Sequence, residues 1–138
     1  MIQLTRCYRF PAAHVLASTA LSDQENARIF GKCANPNGHG HDYGVEVSVS
    51  GPIDERTGQI IAEDELDRIF EQSVRERFSH RMLNELPEFA SLVPTAENIL
   101  VVLHKVLSEA LSQAGSARVT GVRVVETGRN SFEQGEMR

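Results

Sequence analysis

The chain has little of what would staple, anchor or strongly charge a protein. Two cysteines in 138 residues are too few for a disulfide framework, tryptophan is absent, and no apolar run exceeds five residues. A membrane-crossing helix needs about 20 apolar residues, so no such span is expected. The N-terminal stretch MIQLTRCYRF lacks a basic region followed by a long apolar segment, and it reads as a strand rather than a secretory signal. Both thiols are accordingly expected to be reduced, in a cytoplasmic setting. Basic residues are also scarce: 14 stand against 19 acidic ones, for a net charge of -5. That balance argues against broad binding of DNA or RNA phosphates, yet it leaves room for a small anionic ligand held by a few local cations.

Apolar residues make up 41% of the chain and charged residues 24%, enough for one buried core. No repeat, low-complexity tract or linker divides the sequence, so residues 1–138 read as a single domain. Ile2, Leu4, Tyr8 and Phe10 alternate onto one face of a first strand, Ile2 to Phe10, with Arg6 as the exception. A long polar stretch follows His14 and ends in the turn-forming Asn35-Pro36-Asn37-Gly38; loops of this length usually carry function.

From His39 to Ser50, Val45, Val47 and Val49 oppose Glu46, Ser48 and Ser50 on a second strand, which Gly51-Pro52 stops. The turn Asp54 to Gly58 leads into an expected short strand, Gln59 to Ala62. Leu66, Ile69, Phe70, Val74 and Phe78 keep helical spacing over Asp64 to about Phe78. A second helix follows Pro94, with Thr95 as N-cap, Glu97 near the positive end of the dipole and Gly115 closing it. Val119 to Thr127 and about Asn130 to Gln134 read as strands. The order ββααββ predicts an α+β domain, an antiparallel four-stranded sheet with two helices on one face. The other face is expected to be solvated or covered by another subunit.

The chemistry concentrates in Gly31-Lys32-Cys33-Ala34-Asn35-Pro36-Asn37-Gly38-His39-Gly40-His41. Residues two apart on a strand point the same way, so His39 and His41 can aim two imidazoles at one point, although a His-x-His pair alone is more often incidental than metal-binding. His14, at the end of a strand that can pair with this one, qualifies as a third ligand. Three ligands and one open position is the pattern of a catalytic zinc site. Cys33 lies close enough to fold its sulfur over the metal, where a thiol becomes a usable base or nucleophile. The alternatives for Cys33 are a fourth ligand, which would close the site, or a small buried apolar residue. Glu126 ends an apolar run and could hold a flat N–C–N donor pair, or it could simply be a solvated strand end. Taken alone, Glu97 is explained by its helix terminus, His80 reads as a surface or capping residue, and Cys7 reads as a packing or surface residue.

These residues form a wider pattern. Phe10-x3-His14 and Gly31-Lys32-Cys33-x-Asn35-Pro36-Asn37-Gly38-His39-Gly40-His41 are followed by Gly51-x-Ile53-Asp54-x2-Thr57-Gly58 and His80-x2-Leu83-Asn84. Pro94-Thr95-x-Glu97-Asn98 and Val125-Glu126-Thr127 complete the set. In order and spacing the pattern resembles the 6-pyruvoyltetrahydropterin synthase family across nearly the whole chain. The resemblance implies the tunnelling fold, with subunits pairing their sheets into an oligomeric barrel. A homo-oligomer follows, commonly a hexamer of two trimers, with active sites between subunits. It implies zinc on His14, His39 and His41, Cys33 as catalytic thiol, and His80 as its acid–base partner. Glu126 would grip the pterin edge, with Thr95 and Glu97 nearby. The implied substrate is 7,8-dihydroneopterin triphosphate, and the reaction combines proton transfers on its side chain with elimination of triphosphate.

Two features bear on the branch. The six-residue gap from Cys33 to His39, with its Asn-Pro-Asn-Gly insert, resembles the pyruvoyl-forming enzymes. The 6-carboxytetrahydropterin synthases of queuosine synthesis typically have a shorter loop. Against the family pattern, Ser79 stands where an Asp usually precedes the histidine, and a hydroxyl cannot stabilise imidazolium as a carboxylate does. Such a loss is worth roughly 10²–10⁴-fold in rate if nothing compensates. A second departure is Ala62-Glu63-Asp64-Glu65-Leu66-Asp67 at the start of the first helix. A pterin-binding paralogue with weak activity, and side-chain cleavage of another dihydropterin, are the competing readings.

Overall fold

The computed structural model describes residues 1–137. Four strands make one antiparallel sheet in chain order: β1 (Leu4–His14), β2 (His39–Ser50), β3 (Arg118–Thr127) and β4 (Asn130–Gly135). The inner face carries Phe10, Tyr43, Val45, Val47, Val49, Val122 and Val124, all essentially buried. Onto it pack α2 (Glu63–Phe70) and α4 (Ala96–Ser112), which bury Leu66, Phe70, Ile99, Leu103, Leu107 and Leu111. Between them α2 runs through a wide π turn (Glu71–Arg75) into a last turn, α3 (Glu76–Phe78). Among the described residues, no helix is long and apolar enough to cross a membrane.

The expected order ββααββ needs a correction, because a further helix, α1 (Asp23–Phe30), sits between β1 and β2. It begins with a capping box, in which Ser22 Oγ accepts from Glu25 N–H and Glu25 Oε1 accepts from Ser22 N–H. Asn26 is its one buried residue and binds both backbone polar groups of Ser18 (2.8 and 3.1 Å). The expected strand Gln59 to Ala62 does not form. Consecutive Ile60 and Ile61 both pack against the core, which the alternating faces of a strand do not permit.

Arg6, the break in the β1 alternation, does lie on the core side. It forms a two-pronged ion pair with Asp67 of α2 (2.7 and 2.8 Å), and Tyr8 donates its hydroxyl to the same carboxylate (2.8 Å). Tyr8 stacks on Phe70 with ring centroids 4.1 Å apart, so this pair closes the rim of the core. The opposite sheet face is polar, with Arg123 bridging Glu46 and Glu133.

The β1–β2 pairing positions the site. It runs from Leu4↔Val49 to His14↔His39, placing His14 opposite His39 and Ala12 opposite His41. Directly before His39, Gly38 has a φ of +74°, and a Cβ there would meet Met82 Cε and the His14 carbonyl. The chain can make this close approach to β1 only with glycine.

Candidate metal and acid–base site

Three imidazoles converge at the open end of β1 and β2. His39 Nε2 lies 3.2 Å from His14 Nε2 and 2.9 Å from His41 Nε2. Nitrogens bound tetrahedrally to zinc at 2.0–2.1 Å lie about 3.3 Å apart, so the spacing is close to what such an ion requires. His14 is fully buried, and its Nδ1 faces the Pro94 carbonyl at 2.8 Å. A carbonyl only accepts, so Nδ1 carries the proton and Nε2 presents a lone pair towards the other two rings. Burial pushes the His14 imidazole down to about 4, and the neighbouring His39 and His41 add to the shift against the Pro94 hydrogen bond. His41 is also lowered by burial, partly offset by the charge of Glu126. Lone pairs aimed at one point repel unless a cation or a proton sits between them, and burial disfavours the proton. The donor set therefore fits a divalent metal.

Cys33 and Glu126 join this cluster. Cys33 lies on the short 3-10 turn that follows α1, half-buried, with Sγ 3.5 Å from His39 Nε2. His14, Cys33 and His39 form one group whose ligand atoms lie within 4.8 Å of one another, and His14, His41 and Glu126 form another. Glu126 reaches the histidines from an irregularity in β3, where pairing with β4 skips between Val125 and Thr127. Burial raises the Cys33 pKa, and the Glu126 charge raises it further. A divalent cation at the histidines acts in the opposite direction. Geometry alone allows Cys33 and Glu126 as ligands or as groups beside the metal.

The other expected site residues come from other segments, and His80 shares a surface depression with His41. Ser79 and His80 follow α3, and no hydrogen bond or ligand group joins either to Cys33 among the described residues. The exposed His80 has a φ of +59°, the single positive value at a non-glycine described residue. Two backbone bonds to the β1 edge hold it there, from His80 N–H to Pro11 O (2.7 Å) and from Ala13 N–H to Arg81 O (2.9 Å). Left-handed backbone at a histidine is uncommon and collects at functional sites. Ser79 Oγ is buried without a hydrogen-bond partner, so it does not hold the His80 ring. Thr95 is the N-cap of α4, accepting from Asn98 N–H at 3.2 Å, and Glu97 stands exposed in the first turn.

Sequence reasoning missed two supporting groups. Tyr43 extends the His39-x-His41 alternation by one step, and its buried hydroxyl lies 3.2 Å from His14 Nδ1. That spacing was a readable signal. The Pro94 carbonyl was not readable, because a backbone group leaves no mark in the sequence.

Known proteins share this arrangement of strands and helices. A family model described as 6-pyruvoyl tetrahydropterin synthase matches residues 3–136. The human 6-pyruvoyl tetrahydrobiopterin synthase is 40% identical over 129 residues, covering 93% of this chain and 87% of that protein. A putative 6-carboxy-5,6,7,8-tetrahydropterin synthase of Archaeoglobus fulgidus is 34% identical, covering 79% of this chain and 84% of that protein. Among solved structures, the Caenorhabditis elegans 6-pyruvoyl tetrahydropterin synthase superposes with a TM-score of 0.88 at 31% identity, covering 99% of this chain and 96% of that one.

Proposed function

Because the chain belongs to the 6-pyruvoyl tetrahydropterin synthase family, we propose that it is a zinc-dependent lyase acting on 7,8-dihydroneopterin triphosphate. The products would be 6-pyruvoyltetrahydropterin and triphosphate. The observation that carries this reading is the meeting of three histidine nitrogens with the Cys33 sulfur 3.5 Å from one of them. His14, His39 and His41 would hold the ion. When bound, it supplies Lewis acidity towards the substrate side chain. Cys33 would take and return a side-chain proton as general base and acid. Glu126, half-buried beside the histidines, would accept two hydrogen bonds from the N–C–N edge of the pterin and fix its orientation. Thr95 and Glu97, which follow Pro94 in the chain, would lie near the pterin.

His80 would supply the matching acid–base group. The lack of a hydrogen bond or shared ligand group between His80 and Cys33 among the described residues favours a homo-oligomer, expected as a hexamer, whose sites would draw Cys33 and His80 from different subunits. A cytoplasmic location accords with the two free thiols, Cys7 and Cys33.

A second reading rests on the unpartnered Ser79 hydroxyl. A histidine without a charge-stabilising neighbour is a weaker acid–base group, so the chain would bind pterin triphosphate and turn it over slowly. The archaeal relative keeps the 6-carboxytetrahydropterin reaction as the alternative product branch. Anaerobic incubation of zinc-loaded protein with 7,8-dihydroneopterin triphosphate separates these readings. Triphosphate with a pyruvoyl product upholds the first, and a carboxy product selects the other branch. Binding without triphosphate release favours the slow paralogue, and Ser79→Asp should then raise turnover while pterin affinity stays similar.

A further inference from the structure

Strand β1 is held on both of its edges where it carries His14. One edge pairs with β2, and the other meets the short segment from His80 to Asn84. Alternate residues of a strand present their backbone groups to the same edge, and the contacts with this segment fall at Pro11, Ala13 and Val15. Pro11 O accepts from His80 N–H (2.7 Å), Ala13 N–H donates to Arg81 O (2.9 Å), and Ala13 and Met82 form a parallel bridge. The third contact is made by a side chain. Asn84 Oδ1 accepts from Val15 N–H (2.8 Å), and Asn84 Nδ2 donates to Val15 O (2.9 Å). A side-chain amide thus stands in for a strand neighbour and satisfies both backbone groups of the residue after His14. The next residue, Leu16, is buried and donates its N–H to Cys33 O at 2.6 Å. Asn84 is therefore linked through Val15 and Leu16 to the backbone of Cys33, along a path that passes one residue from the buried imidazole.

We propose, resting on the zinc-site reading above, that Asn84 is a positioning residue whose clasp on Val15 sets His14 and Cys33 in register with the other two histidines. Pairing between β1 and β2 ends at His14↔His39, so the chain beyond His14 depends on such contacts for its place. The His14 ring is tied from behind, with Nδ1 2.8 Å from Pro94 O. A shift of its backbone therefore swings Nε2 away from His39 and His41. Met82, two residues before Asn84, has its Cε where a side chain on Gly38 would go, directly before His39. The same segment thus touches the chain beside two of the three histidines. Asn84 is itself exposed and spends its amide on backbone groups, so it supplies placement rather than core packing.

Three measurements on the full-length protein test the assignment: zinc affinity by chelator competition, visible absorption of the cobalt-substituted protein, and the split between kcat and KM. Asn84→Ala should weaken zinc binding by about tenfold, the lower end of what supporting partners of metal ligands contribute. Its cobalt spectrum should differ from the wild-type one, because the His14 nitrogen is displaced. With 7,8-dihydroneopterin triphosphate, kcat should fall about tenfold while KM holds, as for an interaction that serves the chemical step alone. Asn84→Leu, of similar shape but without the amide, should match the alanine variant. Wild-type zinc affinity and cobalt spectrum in either variant overturn the clasp, even where thermal stability drops, for that would mark a merely structural role. A raised KM with kcat intact also overturns it, by placing Asn84 against the substrate. Weaker zinc and an altered spectrum in the variants, with no triphosphate release by the wild type, uphold the clasp and remove the synthase reading. Unchanged metal binding beside normal turnover does the reverse.

Discussion

Lowering the pH should destabilise the metal-free protein through one residue, His14. In the unfolded chain this imidazole takes a proton near 6.5, whereas in the fold burial moves that event down to about 4. The folded state therefore refuses a proton that the unfolded chain accepts. Stability from this group is complete above pH 6.5, falls as pH drops, and is lost once pH passes through about 4. At ~1.4 kcal/mol per pH unit the gap amounts to at most about 3 kcal/mol. Screening by water at the rim of the site reduces the measurable loss to about 2 kcal/mol. Urea unfolding of chelator-treated protein, at pH 7 and near pH 4, measures it against His14→Asn. The asparagine amide can still donate to Pro94 O but does not titrate in this range. Other carboxylates and His41 contribute to both proteins, so the difference between the two pH dependences isolates His14. Parallel pH dependences would refute the reasoning, because they would mean that the burial of His14 does not resist protonation.

Three shorter predictions concern the remaining site residues. Cys33→Ala should keep one zinc per chain by elemental analysis and lose roughly 10²–10⁴-fold in turnover, the usual worth of a general acid–base group; loss of zinc would make Cys33 a ligand instead. Glu126→Gln should likewise keep its zinc while pterin affinity falls about tenfold or more, as measured by fluorescence titration; loss of metal would place Glu126 in the coordination sphere. At position 80 the usual order of alanine and glycine should invert, with His80→Gly more stable than His80→Ala by about 1 kcal/mol in thermal unfolding, because the backbone there is left-handed.

The sequence made the β1–β2 half of the site legible because alternation is a strong signal. Val45, Val47 and Val49 reveal which face of β2 is buried, and His39 and His41 continue that face outward to the strand end. The residues between His14 and Gly38 were harder. With Asn26 as its one buried residue, α1 presents no apolar stripe to read, and its signal was the Ser22-x-x-Glu25 box. Arg6 looked like a pattern error because its partner, Asp67, lies 61 residues away. The Gln59 to Ala62 segment has strand-like composition, yet tertiary packing draws both isoleucines to one side. Neither the left-handed backbone of His80 nor the buried, unpartnered oxygen of Ser79 has any sequence signature. The bulge that aims Glu126 has none either, for such features come from how segments meet.

The histidine triad is created by strand register, and this determines how the gene can change length without losing the site. Side chains on a strand alternate strictly, so one residue inserted between Phe10 and His14 would swing the fully buried His14 onto the outer face of the sheet. A single deletion between His41 and Val45 would likewise put His39 and His41 out of phase with the core valines. Insertions at the exposed Thr19 and Ala20, before the Ser22 cap, leave every β1–β2 pair in place. Length variation in related genes should therefore gather before α1 and spare the strands, whose spacing works as a reading frame for the metal.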